Sequence, residues 1–228
     1  EYEDGDYTHQ MYTNDIQPCP GAKHIYIGFP NRIMEGRTIN DQQRWPGVND
    51  ALFMSSRDGV HWKRWLESWI RPGMDPRNWT QRNNYPTWHI IETSETEWSL
   101  LVSEHYMQPD KVPCRLRRWI IRPWGFVSLH ADYAEGEIIT KPFVFKGSQL
   151  RLNYSTSAAG SVRVEIKDMN GKPLDGFSLD KMRHRFGDEL DGVMRWEGKG
   201  TDVSSLAGIP VKLRFVMRDA DVFSFRFA

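Results

Sequence analysis

Two carboxylic acids stand where a strand could carry them into a cleft. Glu104 closes the apolar run Leu100-Leu101-Val102 and sits among Ser103, His105 and Tyr106, while Asp15 follows Tyr12-Thr13-Asn14 on what reads as an innermost strand. Such a pair can hydrolyse a glycosidic bond when separated by roughly 5 to 5.5 Å for retention or roughly 6.5 to 9.5 Å for inversion, with one acid kept protonated near neutral pH. Glu104 is the candidate general acid and Asp15 its partner carboxylate. Each also has a plainer alternative. Glu104 could be a strand-end carboxylate paired with Arg115, Arg117 or Arg118, and Asp15 could cap a turn.

A recognition surface can be read from the same segments. Arg82-Asn83-Asn84-Tyr85 supplies guanidinium and amide groups suited to vicinal hydroxyls, with an aromatic ring suited to the apolar face of a sugar. Asn-Asn-Tyr-Pro is equally good turn chemistry. Arg32, at a strand end after Gly28-Phe29-Pro30-Asn31, belongs to the cleft if the repeat described below is aligned correctly. Tyr12, Asn14 and His105, flanking the two carboxyls, complete the candidate binding set, although His24 and His105 are also expected to pack or hydrogen-bond locally.

Other chemistries find little in the chain. Its seven histidines show no HExxH and no Cys/His ligand spacing, so no metal site is expected. There is no GxSxG elbow, Walker loop or dinucleotide fingerprint, and no cofactor is expected. Thirty basic residues balance thirty acidic ones, so the broad positive field that draws proteins to nucleic acid or anionic membrane is missing. Arg115 and Arg117 fall on one face of a strand and Arg118 and Arg122 on the other, which makes no basic stripe. No apolar run approaches the roughly 20 residues of a membrane helix, and no basic-then-apolar leader opens the chain. Cys19 and Cys114 leave a single bridge and two free thiols both open.

The elements that must position these groups are strands. The 228 residues, 39% hydrophobic and 26% charged, can bury a core. Leu150/Leu152/Tyr154, Val162/Val164/Ile166, Val211/Leu213/Phe215/Met217 and Phe223/Phe225/Phe227 recur at every second position, alternating with neighbours that are polar except for Val216 and Val222, the period-two pattern of half-buried antiparallel strands. With turns predicted at residues 159–161, 170–173 and 207–210, this half reads as a β-sandwich of seven or eight strands. Nine of the ten tryptophans precede residue 125, so the first half packs differently, and a boundary is expected near residues 132–138, giving domains 1–135 and 136–228. Residues 24–29, 51–55, 98–103 and 115–121 read as strands within two four-stranded repeats, a spacing close to that of propeller blades. The predicted class is all-β: a partial β-propeller of two to three blades, then a β-sandwich.

Ser56-Arg57-Asp58-Gly59-Val60-His61-Trp62 is the sharpest local motif. Its Asp-Gly pair predicts a tight turn in which the carboxylate accepts backbone N–H groups and Gly59 takes positive φ, so Asp58 is expected to hold the turn rather than to do chemistry. The hairpin resembles the Asp-box of sialidases. Tyr12-Thr13-Asn14, residues 24–32, 53–62, 70–73 and 78–86, Ser103-Glu104-His105-Tyr106 and the ending 210–221 together resemble bacterial secreted proteins described as glycosyl hydrolase family 32-like. That resemblance implies a five-bladed β-propeller followed by a β-sandwich, action on or binding of oligo- or polysaccharide, and a secreted or periplasmic location. In such enzymes the nucleophile usually comes from the first blade, a transition-state-stabilising Asp from the second and the acid/base Glu from the third. Residues 1–135 hold only two or three blades and the first two motifs have no match, so the chain resembles the C-terminal half, with further blades or a second copy completing the ring. A non-catalytic carbohydrate-binding or accessory protein is the alternative.

Overall fold

The computed structural model describes residues 11–39, 43, 45–108 and 110–228. The fold is all-β: among these residues the helical segments are three single 3-10 turns, Pro76–Asn78, Leu179–Lys181 and Ser204–Leu206. The chain divides into two compact units, residues 1–121 and 122–228. The division falls earlier than the expected 135/136 because residues 129–131 already pair with the last strand of the second unit.

The first unit contains β1 (Met11–Tyr12), β2 (Gln17–Cys19), β3 (Ala22–Gly28), β4 (Asn31–Met34), β5 (Val48–Ala51), β6 (Met54–Ser56), β7 (Trp62–Arg64), β8 (Tyr85–Pro86), β9 (Ile91–Glu92), β10 (Trp98–Glu104) and β11 (Arg115–Ile121). They form three antiparallel sheets: β1-β4-β5, β2-β3-β6-β7, and β11-β10-β8 with β9 also on β10. The run expected as one strand over 51–55 straddles two sheets, since Ala51 ends β5 and Met54 begins β6. Between them Leu52 and Phe53 are buried, and Leu52 N–H donates to the Pro30 carbonyl.

Aromatic rings fill much of this unit. Phe29 stacks on Trp69 at 4.8 Å between centroids, and Phe53 meets Trp65 at 5.1 Å. Ala51, Ile70, Leu100 and Val102 form a small aliphatic core beside them. The interior also holds many polar side chains: Asn31, Asn49, Asn78, Thr80, Asn83, Asn84 and Gln108 are all buried. Buried amides are costly unless bonded, and here they tie strand to loop. Asn31 Nδ2 donates to the Asn84 carbonyl, Asn84 Nδ2 to the carbonyls of Asn49 and Asn78, and Gln108 Nε2 to Thr80 Oγ1.

The second unit is one curled sheet of five strands: β12 (Leu129–Ala131), β13 (Gly136–Ile139), β14 (Leu150–Lys167), β15 (Asp188–Val193) and β16 (Lys212–Phe227). Its order is β12-β16-β14-β15, with β13 also on β16. Fewer strands appear than the seven or eight expected, because the pairs of short segments read at 150–155 and 162–167, and at 211–217 and 222–227, are each one long bent strand. The bend lies where Thr156 pairs with Ala220 and Ser161 with Arg218, so residues 157–160 face Asp219 alone. Asp219 takes φ +41°, and a Cβ on Gly160 would sit 2.3 Å from the Asp219 carbonyl oxygen. The residues read as a turn at 159–161 therefore make a bulge, which curls a sheet instead of ending a strand.

The inward face follows the alternation read from the sequence. Leu150, Leu152, Tyr154, Val162, Val164, Ile166, Val211, Leu213, Phe215 and Met217 are all in the core, around Trp196. Trp196 donates its indole N–H to the Val164 carbonyl at 3.1 Å. One stretch departs: Asn153 pairs with Ser224 but Tyr154 with Val222, so Phe223 is the extra residue of a second bulge and Val222 takes the inward place. The displaced Phe223 ring instead receives the Arg122 guanidinium at 4.8 Å.

Candidate functional site

Antiparallel register builds a cleft on β4 and β5. On β4 and β5 Arg32 lies directly opposite Asp50 and Met34 opposite Val48, so these four alternate residues share one face. All four line a cavity of about 810 Å3 whose walls include Arg37, Ile39, Arg71 and Trp79. At its floor Arg32 Nε and Nη2 donate to the two carboxylate oxygens of Asp50 at 2.9 and 2.6 Å, and Nη1 donates to the Leu66 carbonyl at 2.9 Å. On the opposite face of the same strands Asn49 bonds to the Arg32 carbonyl through Nδ2 and accepts the Arg82 N–H on Oδ1, so the ribbon cannot slide. Trp79 is held at the wall by its indole N–H on the Gly73 carbonyl at 2.7 Å. Of the binding residues read from the sequence, Arg32 is the one that lines this cavity. Asp50, Arg71 and Trp79 did not figure among the candidates read from the sequence, and the alternation of Arg32 with Met34 and of Val48 with Asp50 is the signal that finds Asp50.

Glu104 is placed by the opposite pairing. It ends β10 facing Arg115, with Arg117 one diagonal position away on the same face. Arg115 Nε donates to Oε2 at 2.8 Å and Arg117 Nε to Oε1 at 2.7 Å, while the carboxyl itself is almost fully buried. Burial pushes its pKa up, but the Arg117 and Arg115 hydrogen bonds and charges outweigh that and hold it below the ordinary glutamate range. This is the ion-pair alternative, with two arginines in place of one, and an ionised carboxylate has no proton to donate at neutral pH. His105, next in sequence, sets Nε2 2.7 Å from Asp75 Oδ2. Its Nδ1 is buried without a partner among the described residues. Asp75 also accepts the Arg77 N–H, capping the 3-10 turn at 76–78. Burial works against its ionisation, yet His105 and Arg77 bring its pKa down.

Asp15 behaves differently. It is half-buried, its Oδ2 has no hydrogen-bond partner among the described residues, and burial raises its pKa to about 6. No hydrogen bond joins it to Glu104. Its neighbour Asn14 lines a smaller groove of about 310 Å3 with Met11, Thr13, Met54 and Trp62.

The remaining candidates fall into two groups. Tyr12 and Tyr85 meet with ring centroids 5.9 Å apart, and burial lifts the Tyr85 hydroxyl to about 12, with the Tyr12 charge adding to the rise and Arg82 opposing it. Arg82 lies over the Trp45 ring at 4.2 Å. Asn83 and Asn84 are turned inward instead. Asn83 donates to Thr80 Oγ1 and accepts the Tyr106 N–H, and both Asn84 N–H donors go to backbone carbonyls, the turn alternative for this motif.

The Ser56–Trp62 motif forms the β6–β7 hairpin. Asp58 Oδ1 accepts the N–H groups of Val60 and His61, Ser56 Oγ accepts that of Gly59, and Gly59 takes φ +74°. Hydrogen bonds from His61, side chain then backbone, and from Val60 hold the Asp58 pKa far below the usual range. Asp58 therefore holds the turn. Cys19 and Cys114 are both free, the first buried and the second exposed. Burial, with Glu92 nearby, pushes the Cys19 thiol to about 11, so it is a packing thiol. No cluster of three or more His, Cys, Asp or Glu suited to a metal occurs among the described residues. No helix among them is long and apolar enough to cross a membrane. Comparison with family models, with curated proteins and with solved structures finds no match for this chain.

Proposed function

We propose that this chain binds carbohydrate, without cleaving it, at the cleft on the β4–β5 face. The observation that carries the reading is the planar Arg32–Asp50 pair fixed at the floor of a cavity walled by Trp79. Arg32 keeps N–H donors and Asp50 keeps lone pairs beyond those they share, the complement that vicinal hydroxyls need. An indole already held by its own N–H loses little freedom when a sugar ring packs on it. The cavity is of the size that encloses small ligands, roughly 300 to 1,000 Å3. The resemblance to family 32-like glycosyl hydrolases supports the ligand class and a secreted or periplasmic setting. The ion-paired state of Glu104 weighs against turnover.

Hydrolysis is the second reading, favoured by the pKa of about 6 at Asp15. Retention on insoluble polysaccharides and reducing-sugar release, measured together for wild type, Trp79→Ala and Asp15→Asn, separate the two. Binding without release, weakened about tenfold by Trp79→Ala as expected for loss of one aromatic platform, supports the first. Release that vanishes in Asp15→Asn overturns it.

A further inference from the structure

The charge of the cleft narrows the ligand. Among the described residues three arginines line it, Arg32, Arg37 and Arg71, against one carboxylate, Asp50, which is already taken by Arg32. Neither Arg37 nor Arg71 has an ion-pair or hydrogen-bond partner for its guanidinium among the described residues. The whole chain has no net charge, so this excess is local to the cleft and no general field accounts for it.

Both guanidiniums also start from fixed backbone. Arg37 N–H donates to the Met34 carbonyl and its own carbonyl accepts the Gly47 N–H. Arg71 lies between Ile70, bonded in both directions to Ala51, and Pro72, whose carbonyl accepts Asn78 Nδ2. The two arms therefore leave anchored positions, both ahead of Trp79 in sequence, on the walls of the cavity that Trp79 also lines. A guanidinium presents a planar fork that matches a carboxylate or sulfate, and does so more strongly than it matches a hydroxyl.

We propose that the cleft takes an acidic saccharide, a uronate- or sulfate-bearing glycan, with Arg37 and Arg71 on its anionic groups and the Arg32–Asp50 pair and Trp79 on its ring. This rests on the carbohydrate reading above and specifies it.

The test compares polymers that differ only in charge. Polygalacturonate is set against its fully methyl-esterified form, and a sulfated galactan against the same galactan desulfated, with neutral arabinan and xylan alongside, by affinity electrophoresis of the full chain. The expected result is retention by an acidic polymer about tenfold stronger than by its neutral counterpart, the ratio one charge-assisted contact supplies. Arg37→Gln and Arg71→Gln should each reduce that ratio. The pair that shows the difference tells carboxylate from sulfate. Equal retention of charged and neutral forms overturns the acidic ligand while leaving the carbohydrate reading in place, whereas no retention by any polymer overturns both. An acidic preference that survives both arginine substitutions places the site elsewhere and overturns this one. Both arginines are exposed, so the variants should fold, and an unchanged melting temperature confirms it.

Discussion

Arg32 and Asp50 occupy directly opposed positions on β4 and β5 and are joined by two parallel hydrogen bonds, so their ion pair is a consequence of strand register. Both side chains are more than four-fifths buried. A pair so placed adds little net stability, yet removing one partner strands the other charge. Asp50→Ala is expected to destabilise the chain by about 2 to 4 kcal/mol in urea unfolding. The double variant Arg32→Met/Asp50→Leu should regain most of that loss while abolishing polysaccharide retention. A double variant that still binds would remove the pair from the site.

Glu104 predicts a pH dependence with a definite sign. Its folded pKa lies below the ordinary value, so its stabilising contribution is present above the unfolded pKa of about 4.3 and is lost as pH falls through the folded one. Thermal unfolding followed from pH 7 to pH 3 should show wild type losing more stability than Glu104→Gln across the acid range. The same substitution should leave polysaccharide retention unchanged, since Glu104 does not line the cleft. Parallel acid transitions in the two proteins would show that the arginine pairing carries no weight.

The two units differ in how much of them the sequence discloses. Alternating Val, Ile, Leu and Tyr in β14 and β16 mark the core face because one side of that sheet is apolar and the other polar, and period two then has a clear phase. What escapes is where a strand ends: Gly160 and Asp219 have turn composition, and only the facing strand decides that they make a bulge. The cleft is harder still. β5 reads Val-Asn-Asp-Ala, of which the last three are poor strand formers, and the roles of its polar pair come from partners, Asn49 bonding to Arg32 and Arg82 and Asp50 to Arg32. Pairings 17 to 33 residues apart leave no local pattern. Glu104 was legible as to type and strand end, but the choice between acid and ion pair depended on two arginines across a sheet.

Asp15 should report the opposite sign to Glu104. Its folded pKa of about 6 lies above the unfolded value, so ionising it costs the folded state, and wild-type stability should fall as pH rises from about 4 to 6 and then level off. Asp15→Asn removes that penalty. It should stabilise the chain at pH 7 by about 1 kcal/mol once solvent screening of a half-exposed group is allowed for, with no gain at pH 4. Differential scanning calorimetry at the two pH values checks this. A gain that is equal at both would trace the effect to packing or hydrogen bonding and not to charge.

The bend of β14 depends on a missing Cβ. At Gly160 a methyl group would meet the Asp219 carbonyl oxygen at 2.3 Å and the Arg218 carbonyl oxygen at 2.8 Å, both backbone atoms that cannot swing aside. Relief requires the bulge to open, which shifts the flanking pairs Thr156–Ala220 and Ser161–Arg218 and with them the inward residues Ala220 and Val162. Gly160→Ala is expected to destabilise the second unit by about 1 to 3 kcal/mol, the usual cost of overpacking, with a loss of hydrogen-exchange protection centred on residues 218–222. Gly171, which takes φ +83° with open space around its Cβ position, supplies the control: alanine there is strained by its backbone alone and should leave protection at residues 218–222 unchanged. Equal loss of protection in both variants would show that the close approach at Gly160 is not what sets the bend.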